Sequence, residues 1–277
     1  MSTASTRATT DAEAAAMAAV ELARHPGRPR SLSVIAGIAE DFTELRGDRL
    51  HGDDRAVVAG LGRVGGRWVA IVAQEKGVDA ATRALRNFGM PHPEGYRKAQ
   101  RVMRMAARFR LPLVCLVDTP AAHPGVGAEE RGQGWAIAES LRLMLELPVP
   151  TVAVVLSEGG SGGALALAMA DRVLALENAV YCVAPPETAA AIIYRDAAQR
   201  ARAAAAQRPW VATAHEHGLV DELVPEPAPG AHAMPTIVIA ALAGALRRTL
   251  DELVAMDPGT RLAARWARYR ALGDAAG

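Results

Sequence analysis

The sequence predicts a single α/β domain with helical ends. Two observations carry this: strand-like and helix-like patterns alternate without a break over residues 40–224, and two strand-loop-helix units follow each other in tandem over residues 113–170. The first apolar, β-branched runs, residues 57–63 and 68–74, are separated by Gly65-Gly66, a two-residue hairpin signal, so two antiparallel strands open the core. Before them, residues 11–23 are alanine-rich and helix-favouring, His25-Pro-Gly-Arg-Pro29 breaks the pattern, and a second helical stretch starts at Ser33, which together form an entry arm over residues 1–39. The main body then spans residues 40–277.

Residues 95–110 place Tyr96, Val102, Met103, Ala106 and Phe109 at near-helical spacing and stop before Leu111-Pro112. A strand over 113–118, a loop over 119–128 and a helix over 129–147 follow, the last stopped by Pro148 and Pro150. The pattern repeats as a strand over 151–157, a glycine loop and a helix over 162–170. Short strands at 173–176 and 180–183, a Pro185-Pro186 break, a helical region over 187–207 and a closing helix over 236–256 complete the reading, with the proline-rich residues 225–235 as a loop.

Composition narrows the function. With 31 basic and 30 acidic residues the formal net charge is +1, so no overall field favours nucleic acid or an anionic membrane, and an anionic ligand must be held locally. Cys115 and Cys182 are the only cysteines and each lies in an apolar run; no disulfide framework or zinc ribbon is expected, nor a metal site, since His215 and His217 face differently on a helix. The N-terminus lacks a basic start with an apolar core, and no stretch of about 18 apolar residues occurs, so a cytoplasmic protein is expected.

Two loops are candidates for chemistry. In Ser157-Glu-Gly-Gly-Ser-Gly-Gly-Ala164, Gly159, Gly160, Gly162 and Gly163 lack a Cβ, so successive N–H groups can converge, and the following helix start adds partial positive charge. This makes an anion or oxyanion cradle, although such glycines also serve simply to bring a helix close to a strand. A phosphate loop is excluded because Ala164-Leu165 stands where Lys-Ser/Thr is required. The other loop, Asp118-Thr-Pro-Ala-Ala-His-Pro-Gly-Val-Gly127, ends an adjacent strand and lies on the same sheet edge, so the two loops face each other across a pocket.

Asp118-Thr-Pro, Pro124-Gly-Val-Gly-Ala-Glu-Glu-Arg-Gly-Gln133 and Glu158-Gly-Gly-Ser-Gly-Gly-Ala-Leu165 resemble the alpha subunit of bacterial acetyl-CoA carboxylase carboxyltransferase. The likeness extends through Leu22-Ala-Arg-His-Pro, Phe42-Thr-Glu-Leu-Arg-Gly-Asp-Arg49, Asn87-Phe-Gly-Met-Pro91, Pro93-Glu-Gly-Tyr-Arg-Lys98, Asp221 and Pro225-Glu-Pro227, about residues 22–230 in register. It implies a crotonase-like spiral of ββα units with helical N- and C-terminal additions. It also implies transfer of a carboxyl group from carboxybiotin to acetyl-CoA or a related acyl-CoA, in the service of fatty acid biosynthesis. The partners it implies are a beta-type subunit carrying a zinc ribbon, in an alpha2beta2-like hetero-oligomer, and a biotin carboxyl carrier protein. Biotin itself is not expected on this chain, because neither Lys76 nor Lys98 lies in a Met-Lys-Met hairpin.

By the same resemblance the backbone of Gly162, Gly163 and Ala164 supplies oxyanion donors, and Ala121, Gly125, Val126, Gly127, Glu158, Gly159, Gly160 and Ser161 line the substrate and biotin site. Three positions depart from the family pattern: Ala121 replaces a glycine, His123 a tyrosine, and Gly134-Trp135 a small polar-acidic pair. Ala121 narrows the space for a flat ligand. His123 is either an aromatic wall or a recruited general acid or base. The second role would make the protein a biotin-independent decarboxylase or thioester hydrolase acting on a malonyl-type group; a third reading is a non-catalytic subunit. Trp135 is expected to pack on a core or partner surface. Glu158 either orients a ligand or accepts N–H bonds in its turn, while Lys76, Lys98, Arg97 and Arg101 either meet phosphates of coenzyme A or form a solvated face.

Overall fold

In the computed structural model, which describes residues 3–274, the ends of the expected arm and body at residues 1–2 and 275–277 lie outside the described residues. The chain runs through α1 (Thr3–Arg24), α2 (Ser31–Ile38), β1 (Glu40–Glu44), β2 (Val57–Val64), β3 (Arg67–Gln74), α3 (Ala80–Leu85), α4 (Pro93–Phe109) and β4 (Leu113–Thr119). It continues through α5 (Val126–Glu130), α6 (Gln133–Glu146), β5 (Thr151–Gly160), α7 (Ser161–Ala168), β6 (Arg172–Leu176) and β7 (Val180–Cys182). The last elements are α8 (Pro186–Ile193), α9 (Arg200–Gln207), α10 (Val211–Glu216), β8 (Glu222–Val224), α11 (Pro235–Ala255) and α12 (Pro258–Asp274).

One sheet organises these elements in the order β1-β2-β3-β4-β5-β6-β8, with β7 pairing the far end of β5. The hairpin expected at Gly65-Gly66 is present: β2 and β3 pair antiparallel with Val64 opposite Arg67, and both turn glycines adopt positive φ, 57° and 78°. From β3 to β6 and on to β8 the sheet is parallel. Alternation along each strand sends side chains to two cores. On one face Val72, Cys115, Val117, Ala153 and Val155 pack with Val102, Met103 and Ala106 of α4 and Leu143 and Met144 of α6. On the other, Ile71, Val114, Leu116, Val152 and Val154 pack with Val34 and Ile35 of α2 and Val238, Leu242, Leu246 and Leu250 of α11. Every residue of β4 and β5 is buried, as a parallel sheet covered on both faces requires.

The structure differs from the sequence reading at four places. The helix expected over 129–147 is two, because Gly132 takes φ 83° and breaks the turn between α5 and α6, and Gln133 beside it is buried with its amide donating to the carbonyls of Pro91 and His123. Strand β5 does not end at residue 157: Glu158, Gly159 and Gly160 stay extended and pair with Val180, Tyr181 and Cys182 of β7. Strand β1 and helix α3 are additional, and both are mostly exposed, β1 being chiefly charged and α3 short and alanine-rich. A twelfth helix, α12, follows the expected closing one.

Candidate active site

The two chemistry-bearing loops meet. The parallel register of β4 and β5 sets Thr119 opposite Gly159, so the segments that follow leave the same edge of the sheet side by side. Their contact is closest where two of the four glycines, Gly160 and Gly163, stand. A Cβ at Gly160 would collide with the Pro120 carbonyl, one at Gly159 with the Tyr181 ring, and one at Gly163 would lie 2.5 Å from the Ala122 nitrogen and 2.8 Å from the Ala121 carbonyl carbon. Three glycines are therefore required by packing, and the density of the motif is largely a packing demand. Gly162 differs: the nearest atom to its Cβ would be Ile137 Cγ2 at 3.6 Å, an ordinary contact.

Helix α7 begins here. Ser161 adopts φ 56°, a left-handed conformation rare in a non-glycine residue, and no side chain among the described residues caps the first turn. Ser161 and Gly162 line a cleft of about 430 Å³ together with Leu165, Tyr181, Cys182 and Trp210. That volume is within the roughly 300–1,000 Å³ typical of small-ligand pockets. Gly163 and Ala164 are buried behind Gly162, and Tyr96, fully buried, brings a hydroxyl with no hydrogen-bond partner among the described residues to within 3.1 Å of the Gly163 Cβ position. Desolvation raises the Tyr96 phenol far above its ordinary range, so it stays neutral.

On the facing loop, Thr119 Oγ1 donates to the Ala121 carbonyl at 2.7 Å, and Ala121 takes no positive φ, so the methyl group there is accommodated without backbone strain. The His123 ring stacks on His92 with centroids 4.0 Å apart, and its Nδ1 accepts the Gly125 N–H at 3.1 Å. Burial, then the neighbouring His92, pushes the His123 pKa below its usual 6.5. The ring is neutral at physiological pH with one nitrogen already engaged. Gly125 serves as the N-cap of α5; Gly127 sits one residue beyond Val126, which is 75% exposed, and Trp135 at 81% exposure packs in neither core cluster.

Glu158 fits neither role foreseen for it. It is buried, accepts from Arg24 Nε at 2.7 Å and pairs with Lys76 Nζ. Burial opposes its ionisation, yet Lys76 and Arg24 hold its carboxyl down at about 2. The basic residues considered for phosphate contact are also committed elsewhere. Lys76 and Lys98 are buried, the latter 2.7 Å from Asp53; Arg97 pairs with Asp48 and Glu94, and Arg101 donates to the carbonyls of Leu45 and Arg46. Neither a phosphate site nor a solvated face describes them. His217 lines the cleft, whereas His215 Nδ1 is bonded to the Val220 carbonyl oxygen. Sequence reasoning missed the cleft's second wall, Tyr181, Trp210 and Thr213, because only the pairing of β7 with the end of β5 brings it to the glycines.

The arrangement of sheet and helices is shared by solved carboxyltransferases. The transcarboxylase 12S structure with methylmalonyl-coenzyme A and methylmalonic acid bound matches 81% of this chain and 41% of its own, at 26% identity and TM-score 0.65. The beta subunit of geranyl-CoA carboxylase from P. aeruginosa, 16% identical with TM-score 0.63 over 83% of this chain and 43% of its own, has the same fold. The architecture is the crotonase-like fold of carboxyltransferases.

The family model described as acetyl co-enzyme A carboxylase carboxyltransferase-like matches residues 2–273, and the chain belongs to that family. The alpha subunit of the acetyl-coenzyme A carboxylase carboxyl transferase of Heliobacterium modesticaldum is 50% identical over 91% of this chain and 76% of its own. That of Deinococcus radiodurans is 52% identical over 92% and 80%. The reading of the sequence as the alpha part of a carboxyltransferase, an enzyme of the transferase class, therefore stands. Such naming implies a beta subunit, and in Parafrankia sp. a relative named for subunits beta/alpha is 52% identical over 93% of this chain and 42% of its own. Among the described residues no helix is long and apolar enough to cross a membrane.

Proposed function

We propose that this chain provides the carboxyl-donor half of a biotin-dependent acetyl-CoA carboxyltransferase, with Gly162 at its reacting edge. The observation that carries the reading is the first turn of α7, whose one unobstructed glycine, Gly162, opens on the 430 Å³ cleft that β7 and α10 wall on the other side. Carboxybiotin, delivered on a separate carrier protein, supplies the activated carboxyl group. N–H donors fixed in advance at the start of α7 would stabilise the negative charge that develops on an oxygen of the donor without reorganising; each is typically worth about 3–4 kcal/mol. Gly162 is the open donor; Gly163 and Ala164 continue the turn behind it. Of the residues the resemblance assigns to the biotin side, Ser161 lines the cleft with Gly162; Ala121, Gly125, Val126, Gly127, Gly159 and Gly160 belong to the facing segments outside it, and Glu158, engaged by Arg24 and Lys76, supports the strand end beneath.

No protein nucleophile is required, which agrees with Cys182: burial raises its thiol to about 12, so it is not a thiolate at neutral pH. The acyl-CoA thioester would be completed by a beta-type partner carrying the zinc ribbon, in an alpha2beta2-like assembly working in the cytoplasm for fatty acid biosynthesis. Within this chain, residues 1–39 form the arm and 40–277 the carboxyltransferase body. The engaged Nδ1 of His123 and the stacking of its ring on His92 favour a wall over a general base, and so favour the carboxyltransferase over a biotin-independent decarboxylase.

The test is to incubate malonyl-CoA with the chain alone and with a beta-type partner, with and without free biotin, and to follow both thioesters by mass spectrometry. Loss of malonyl-CoA only when partner and biotin are both present is expected. Loss with the chain alone and no biotin would establish the decarboxylase instead, and an inert assembly would leave the non-catalytic subunit.

A further inference from the structure

An ion cluster, buried at Lys76, Arg30, Asp118 and Glu158, lies beneath the two facing loops. Lys76, just past the end of β3, is 3% exposed; its Nζ is 2.8 Å from the carboxylate of Asp118 in β4 and also pairs with Glu158 in β5. Arg30 reaches Asp118 at 3.1 Å, while Arg24 reaches Glu158 at 2.7 Å and Glu187 at 2.8 Å. Three cations thus face three carboxylates. The two strands are joined a second time, since the Glu158 N–H donates to Asp118 Oδ1 at 3.3 Å. Gln74 reinforces the arrangement by donating to the Gly163 carbonyl at 2.7 Å and accepting the Asp118 N–H at 3.2 Å.

Asp118 is one residue before the strand end at Thr119, from which the loop of residues 120–127 leaves, and Glu158 immediately precedes Gly159. Stability alone does not call for such a cluster, because well-packed apolar residues generally serve a core as well as buried ion pairs do. Directionality is what charge adds: each carboxylate fixes one strand end against the same ammonium group.

We propose that Lys76 is a positioning residue for carboxyl transfer, setting the separation of the Asp118 and Glu158 strand ends and hence the place of the Gly162 N–H relative to the facing loop. The inference rests on the carboxyltransferase reading above and assigns the cluster a part in that same site. Lys76 touches no substrate; it acts through Glu158 and Asp118.

Two variants of the full chain, each assembled with a beta-type partner, test this. Lys76→Met leaves two carboxylates short of a cation, whereas the double variant Lys76→Met/Glu158→Gln restores charge balance and guards against simple misfolding. Transfer from malonyl-CoA to free biotin is measured per assembled complex, with kcat and KM resolved. In both variants kcat is expected to fall by about a hundredfold, the loss a misplacement of about 1 Å produces, with KM for malonyl-CoA changed less than about threefold. A double variant that melts like the wild type and keeps its kcat would overturn the proposal, as would losses confined to the amount of complex formed. If the wild-type assembly itself transfers no carboxyl group, the carboxyltransferase reading fails and takes this inference with it. An active wild type with indifferent Lys76 variants sinks this inference alone.

Discussion

Both ends of the parallel sheet hold buried arginine–carboxylate clusters, but they differ in what lies next to them. At the end where β5 begins, Asp171 accepts two bonds from Arg265, both 2.7 Å, and one from the Thr151 N–H at 2.8 Å. Arg265 then donates to the carbonyls of Met144, Leu147 and Val149, satisfying the acceptors left free at the end of α6. That cluster closes a helix end. At the other end, Lys76, Asp118, Glu158, Arg24 and Arg30 lie under a left-handed Ser161, an open Gly162 and a cleft. Buried charge is therefore not itself a mark of function; the chemistry of the neighbouring backbone distinguishes the two.

The comparison can be broken in order of expected effect. Arg265→Leu leaves Asp171 with one cation, the weaker Arg261 contact at 3.7 Å, and strips three carbonyls of a donor; it should lower stability by about 3–5 kcal/mol while leaving kcat per folded complex unchanged. Denaturant unfolding beside a turnover assay checks this, and a selective loss of kcat would erase the distinction between the two ends.

Acid unfolding gives a smaller effect, at the other end. Folding holds the Glu158 carboxyl near 2, below its ordinary 4.5, so its contribution is complete above pH 4.5 and disappears as pH falls toward 2. A shift of this size corresponds to about 3 kcal/mol. Glu158→Gln should lose that dependence in unfolding measured from pH 5 to pH 2; an unchanged slope would show that the cluster does not govern this part of the acid transition.

The smallest effect belongs to His123. If the ring is a wall, His123→Tyr keeps turnover within about threefold and does not alter the pH profile between 6.5 and 8.5. A general acid or base role would instead cost about a hundredfold or more.

Much of the fold was legible because its signals are local. Gly65-Gly66 marks the hairpin, the unbroken apolar runs at Leu113 and Thr151 mark buried parallel strands, and Pro112, Pro148 and Pro150 mark their approaches. Strand β1 was not legible, since Glu40-Asp-Phe-Thr-Glu44 is an edge strand of mainly exposed, charged residues without apolar alternation. Helix α3 was missed for a different reason: it is only six residues long, none of them buried, so its Asp79–Thr82 capping box opens no periodic apolar face. At the site, the meeting of the two loops was foreseen from the strand order. Which glycine stays open was not, because the collisions at Gly159, Gly160 and Gly163 come from Tyr181, Pro120 and residues 121–122. The burial of Lys76 and Lys98 was equally hidden, since their carboxylates come from distant strands and turns.

The most direct measurement is turnover by Gly162→Leu in the complete assembly, scored against melting temperature and complex yield. The Cβ position at Gly162 meets only Ile137, at 3.6 Å, so folding and assembly should match the wild type while a larger side chain crowds the start of α7. Biotin-dependent carboxyl transfer is predicted to fall at least about a hundredfold, the scale of losing one oxyanion donor. A Gly162→Leu assembly that transfers carboxyl groups at the wild-type rate would contradict the account, because the reaction would then take place somewhere other than at the start of α7.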